Sequence, residues 1–234
     1  LKKIGILVWM MHHLHESSRK LSQMLKTINA NAFRIKDALE RKGYKFFTEG
    51  VYNVNIVGIR NSSFKNKVTN RFDDVMTVSY IDYDGTWQYH EFDCTTDPGT
   101  HWVKNVMNPE KGVAILVPGQ YRGSHKIRKH LGKYEALGQQ KPMRVYRDNN
   151  RDDIYNLNSE NIETGIFGIN IHRANKNAGK KSTQIDKWSA GCQVIAANDD
   201  WRLFMKIMRK ARDTWSNNFT YTLIESKDIP KTWL

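Results

Sequence analysis

Apolar positions along the chain fall into two helical stretches with strand-like segments between them. Near the start, Leu21, Met24, Leu25, Ile28, Ala32, Ile35, Ala38 and Leu39 recur at three- and four-residue intervals. That spacing gathers them on one face of a helix, and Ser17–Ser18 before it and Gly43 after it supply start and stop signals. The pattern predicts one amphipathic helix over 18–42. Near the end, Trp201, Phe204, Met205, Met208 and Ala211 repeat the same period and predict a second helix over 199–215.

From residue 51 onward the pattern shortens to strand length. Strands are expected at 54–60, 76–83, 86–92, 113–117, 143–146, 166–171 and 219–225. Asp84-Gly85 between two such runs reads as a two-residue hairpin turn, and Asp97-Pro98-Gly99 as a further turn. No repeat, low-complexity stretch or long linker interrupts the series. The expected class is mainly β with peripheral helices, an α+β arrangement. It divides into an N-terminal segment with its helix at 1–50 and a catalytic-type domain at 51–234.

Composition narrows the partners. The 234 residues include 37 Lys and Arg against 24 Asp and Glu, a net charge of +13. Such an excess favours polyanionic surroundings, which include nucleic acid, anionic lipid and cell-wall polymers. The basic residues are dispersed, with clusters at 126–133 and 176–181, and no nucleic-acid-binding module accompanies them. No specific nucleic-acid partner is therefore expected. The apolar run Ile4–Met11 is too short to span a bilayer, and a buried strand or docking segment fits it better. Asp148–Asp153 alternates oxygen-bearing side chains but lacks the glycine and glutamate of a calcium loop, and reads as a solvated turn. Neither a metal nor an organic cofactor is expected.

Chemistry concentrates in Ser189-Ala190-Gly191-Cys192-Gln193-Val194, downstream of the strand-like Ile171-His172-Arg173. A cysteine nucleophile reacts as the thiolate and needs a base to take its proton, a role suited to histidine. The intermediate then needs hydrogen-bond donors at its oxyanion, and a glycine beside the nucleophile allows the tight backbone path that brings amides close. Ser189 adds a hydroxyl that can orient its neighbours. Cys94, at a strand end, reads as structural.

His172, a gap of sixteen residues, Ser189, Gly191 and Cys192 resemble the signature of the L,D-transpeptidase catalytic domain. The longer stretch containing His125, Lys133–Leu137, Val145–Asp148 and Gly165–Arg173 is similar to a bacteriophage-associated branch of that family. The resemblance implies a β-sandwich-like catalytic domain with Cys192 as nucleophile, His172 as general base and Gly191 in the turn shaping the oxyanion site. It implies peptidoglycan as partner, a place in the bacterial cell envelope or phage particle, and possible contact with other virion or envelope proteins. The family's second histidine is Ala190 here, a usually small residue is Arg173, and Gln193-Val194 replace the residues that usually follow the cysteine. These departures fall on the acceptor side, so cleavage of stem peptides through an acyl-enzyme is expected ahead of cross-linking. A non-catalytic virion or wall-binding protein on the same fold is the third reading. Arg173, Trp188, Tyr121 and His125 are the expected substrate-binding residues. Arg173 suits a stem carboxylate, Trp188 suits the peptide or sugar, and Tyr121 and His125 suit a glycine-rich cleft wall.

Overall fold

The computed structural model describes residues 30–230. The run Ile4–Met11 and the first part of the N-terminal helix, 18–29, lie outside the described residues. Eleven strands and three α-helices appear among the described residues. The helices are α1 (Ala30–Arg41), the short α2 (Thr100–Lys104) and α3 (Asn198–Thr214). The strands are β1 (Asn55–Arg60), β2 (Asp74–Ile81), β3 (Trp87–Thr95), β4 (Val113–Leu116), β5 (Gly119–His130) and β6 (Tyr134–Gln139). They continue with β7 (Met143–Asp148), β8 (Ile162–Gly165), β9 (Ile171–Arg173), β10 (Gln193–Ile195) and β11 (Phe219–Glu225). The expected mainly β class with peripheral helices is what the chain forms.

Eight strands close into a mixed barrel in the order β1-β11-β5-β6-β9-β10-β3-β2, and β4, β7 and β8 make a separate three-stranded sheet. Two of the barrel pairings, β1 with β11 and β9 with β10, are parallel. β1 shows why the chain needs so many apolar positions. All six of its residues are buried. Ile56 faces the main core, whereas Val57 and Ile59 face outward onto Ile35, Ala38 and Leu39 of α1. Both faces of the strand are covered, so the apolar run is nearly continuous rather than alternating. Helix α3 buries Trp201, Phe204, Met205 and Met208 against Ile171 and Ile195 of β9 and β10. Its expected apolar stripe is thus the surface that covers the strands flanking the candidate site.

Three segments depart from the sequence pattern for local reasons. The hairpin between β2 and β3 is not a two-residue turn. The ladder ends at Ile81–Trp87, and the Asp82 carboxylate takes the main-chain N–H groups of Asp84 and Thr86. That side chain captures donors a tight turn would have left to the strands, and Gly85 supplies the positive φ of +78° that closes the loop. The expected strand at 166–171 does not form, and only Ile171 falls in a strand. Residues 162–165 belong to the small sheet and 171–173 to the barrel, because the Gln139 side chain accepts from the N–H of Phe167 and Ile169 and removes them from any ladder. Conversely, the glycine-rich stretch after Pro118 is a twelve-residue strand, β5. Gly123, at φ +58°, lets it turn from β11 towards β6.

A close approach fixes the barrel interior. Gly58 of β1 lies against Tyr221 of β11, so an added Cβ would fall 1.9 Å from the Tyr221 hydroxyl. That hydroxyl is fully enclosed and donates to Gln193 Oε1 at 2.7 Å. Gly58→Ala is therefore expected to displace Tyr221 and destabilise the fold by roughly 1–3 kcal/mol, read as a lower urea midpoint at unchanged slope. An unchanged midpoint would show that Tyr221 is not held at this contact.

Candidate functional site

Cys192 immediately precedes β10, and His172 lies in β9. The two strands run parallel with Gln193 opposite Ile171 and Val194 opposite His172. Continuing the register one step sets Cys192 opposite Asn170. Cys192 and His172 are then diagonal neighbours on one face, while Ile171, Gln193 and Ile195 alternate to the barrel interior. The parallel pairing of two strands separated by a long crossover is what joins two distant parts of the chain.

The turn before Cys192 is tightly specified. Gly191 has φ +125°, and a Cβ there would lie 2.1 Å from the Ala114 carbonyl oxygen of β4. Only glycine fits the conformation and the space. The buried Ser189 hydroxyl donates to the Cys192 carbonyl at 2.8 Å and accepts from the Gly191 N–H at 3.1 Å. Ser189 is therefore a brace within the turn, and the Gly191 N–H is occupied. Among the described residues no hydrogen bond engages the Cys192 N–H, which leaves that amide free for an oxyanion.

The thiol is partly exposed. Its Sγ donates to the Gly168 carbonyl at 3.2 Å. Burial pushes the Cys192 thiol up to about 11, with a partial offset from the Asn170 main-chain N–H. Burial pulls His172 down to about 4, assisted by the charge of His130 and opposed by its bond to the Arg173 carbonyl. That bond, 2.9 Å from Nδ1, fixes the tautomer: a carbonyl only accepts, so Nδ1 carries the proton and Nε2 carries the lone pair. At rest the thiol is engaged with the Gly168 carbonyl and the imidazole is neutral, and among the described residues no hydrogen bond joins Cys192 Sγ to His172.

A second histidine joins the site unannounced by the motif. His130, at the end of β5, stacks on His172 with ring centroids 4.3 Å apart and planes 23° from parallel. Its Nδ1 lies 3.4 Å from Asn170 Nδ2, and the Tyr134 ring sits 5.5 Å away. Asn170 also accepts from the Gln139 N–H and from the Gln193 N–H, one through Oδ1 and one through its main-chain carbonyl. Gln139, fully buried, holds the Phe167–Ile169 loop that presents Gly168 to the thiol. His130, Asn170 and Gln139 carry no spacing signal because they converge only through the β5–β6–β9 pairings.

The expected substrate-binding residues separate. Arg173 lies beside the site, with its guanidinium carbon 4.3 Å from the centre of the Tyr134 ring and Nη1 donating to Asn198 Oδ1. Trp188 exposes 44% of its surface on the loop leading to Ser189. His125 is fully buried and touches no solvent. Its Nε2 donates to the Ile169 carbonyl and its Nδ1 accepts from Ser124, both at 2.8 Å. It therefore supports the loop from below instead of lining a cleft. Tyr121 donates to the Val117 carbonyl at 2.5 Å and lies 3.3 Å from the Arg144 carbonyl, which ties it to the small sheet. Glycine in the sequence around these two residues serves strand curvature, not a substrate wall. Cys94 is fully buried in the core, and among the described residues no group of side chains is placed to hold a metal ion.

No family model, curated protein or solved structure matches this chain.

Ser189→Ala is expected to cost about 1–3 kcal/mol, because two buried main-chain groups lose their partner, with a lowered melting temperature as the readout. A second expectation concerns acid. His125 and His172 are held neutral in the fold down to about 4, against an ordinary value of 6.5. Their folded values lie below their unfolded ones, so the stability they contribute is present above pH 6.5 and is lost as the pH falls towards 4. Urea midpoints measured across that window should fall for the native chain and fall less for His125→Gln. Parallel curves would show that His125 titrates normally.

Proposed function

We propose that the chain cleaves peptide bonds in peptidoglycan stems through an acyl-enzyme on Cys192, in the bacterial envelope or from a phage particle. We further propose that its barrel is a variant of the L,D-transpeptidase catalytic domain. The observation that carries this reading is the parallel β9–β10 pairing. Its register sets the His172 and Cys192 of the family-like signature on one face, with Cys192 between the Gly191 turn and β10.

The chemistry follows from the resting state. Substrate entry lets the Cys192 thiol leave the Gly168 carbonyl and give its proton to His172 Nε2. The thiolate attacks the peptide carbonyl, and the Cys192 N–H meets the developing oxyanion. The C–N bond breaks as His172 returns the proton to the leaving amine, and the acyl group remains as a thioester on Cys192. Water, deprotonated by His172, then releases the acid and restores the thiol. An amine in place of water would give a cross-link by the same intermediate. Ala190, where the related signature has a second histidine, favours water. His130, stacked on His172 from another strand, keeps the base oriented in that position.

Purified peptidoglycan treated with the native chain is expected to release new peptide fragments by mass spectrometry, and Cys192→Ala is expected to release none. Inertness of both on several wall types, with binding retained, would favour a structural wall-binding role. A raised thiol also sets the pH dependence. Thiolate appears only as pH rises, so alkylation of Cys192 by iodoacetamide should accelerate about tenfold per pH unit between 7 and 9 without levelling. A plateau below pH 8 would mean a preformed thiolate–imidazolium pair.

A further inference from the structure

Beside the site, on the far side of Tyr134, runs an open groove of about 630 Å³ between β6, the end of β9 and helix α3. Its lining is strongly cationic. Arg173, Arg202, Lys206 and Arg209 face it, against the single carboxylate of Glu135. Arg202, Lys206 and Arg209 recur at four- and three-residue steps along α3, which sets them in one row on the exposed side of the helix. Arg209 is paired with Glu135 at 2.9 Å. Arg202 and Lys206 make no ion pair among the described residues.

The floor of the groove is aromatic and ordered. Tyr134 packs edge-on against Trp201, with ring centroids 6.3 Å apart, and carries the Arg173 guanidinium on its face. Stacking and the bond to Asn198 hold that guanidinium in a fixed plane, which lowers the entropy lost when an oxyanion is bound. Tyr134 also packs against His130, which in turn lies on His172. One ring thus forms the wall shared by the groove and the candidate catalytic face.

We propose that this groove seats a free carboxylate of the wall peptide while the bond to be cut lies over Cys192. The assignment rests on the reading of Cys192 as an acyl-transfer centre. A peptide substrate brings carboxylates on the same short chain as its scissile amide, and the groove is adjacent to the thiol face. A row of cations over an aromatic floor fits a small oxyanion carried by the substrate itself, with charge-assisted hydrogen bonds to a fixed guanidinium and to the exposed heads at 202 and 206.

The test uses the full chain carrying Cys192→Ala, so that binding is measured without turnover. Soluble disaccharide-peptides with free carboxylates are titrated in parallel with the same fragments amidated at those carboxylates. The free acid is expected to bind roughly tenfold tighter or more, as charged hydrogen bonds require. That preference should vanish in the exposed double variant R202Q/K206Q, whose fold is checked by its melting curve. R173Q provides an independent variant with the same expected loss. Equal affinity for the acid and amide forms would overturn the proposal, as would a preference that survives both variants. A groove that instead prefers a phosphodiester polymer such as duplex DNA, with that preference lost in R202Q/K206Q, would overturn it too. Failure of the Cys192 reading is seen separately, as absence of peptidoglycan turnover by the native chain while the carboxylate preference remains.

Discussion

A guanidinium enclosed in the barrel ties the strands to one another. Arg60, nearly inaccessible, forms an ion pair with Asp97 at 2.9 Å and donates to the carbonyls of Leu116 and Thr96 at 3.0 and 3.2 Å. Thr96 in turn gives both its N–H and its hydroxyl to Asp74. A charge taken out of water survives only when partners surround it, and removing one partner leaves the others stranded. The network therefore fixes β1, β2, the end of β3 and β4 relative to each other. It reaches the site as well, since Gln193 donates to the Thr96 carbonyl and accepts from Tyr221. The residue after the candidate nucleophile is anchored to the same interior that holds the ion pair.

Two carboxylates sharing one buried guanidinium carry more negative charge than it offsets. Burial pushes both carboxyls up, Asp74 to about 7, and their mutual repulsion adds to that at Asp74. The barrel thus buries a polar, hydrogen-bonded network that is sensitive to its protonation alongside the apolar core that α3 completes. Such interiors specify one arrangement, because an alternative packing would leave several polar groups without partners.

Rigidity at the candidate site follows from the same arrangement. The Gly191 turn is pressed against β4, Ser189 closes it from within, and Gln139 and His125 hold the opposite loop. What this frame presents is a protonated thiol and a neutral imidazole. An apolar, partly enclosed setting disfavours both charged forms, which keeps the Cys192 thiol protonated and the His172 imidazole neutral. The cost is a low resting reactivity. The corresponding benefit is a thiol protected from oxidation and alkylation, since the thiolate is the reactive form.

The sequence by itself determined the mainly β class, the C-terminal helix and six of the eleven strands, and it singled out a histidine and a distant Ser-x-Gly-Cys segment as candidates. Each of these rests on periodicity or on residue types at short range, which a chain displays before it folds. Tertiary structure alone decided the rest. β5 escaped notice because its glycines serve curvature, and the strand at 166–171 broke because Gln139 intercepts its N–H groups from elsewhere in the chain. His125 and Tyr121 looked like cleft residues by composition, yet each bonds a main-chain carbonyl, that of Ile169 or Arg144, that lies nearby only after the sheets assemble. His130 and Asn170 meet the site through strand pairing, and the cations of α3 gather beyond Tyr134 through helix packing. Contacts between residues tens of positions apart leave no local periodicity, so no reading of the pattern along the chain could have gathered them.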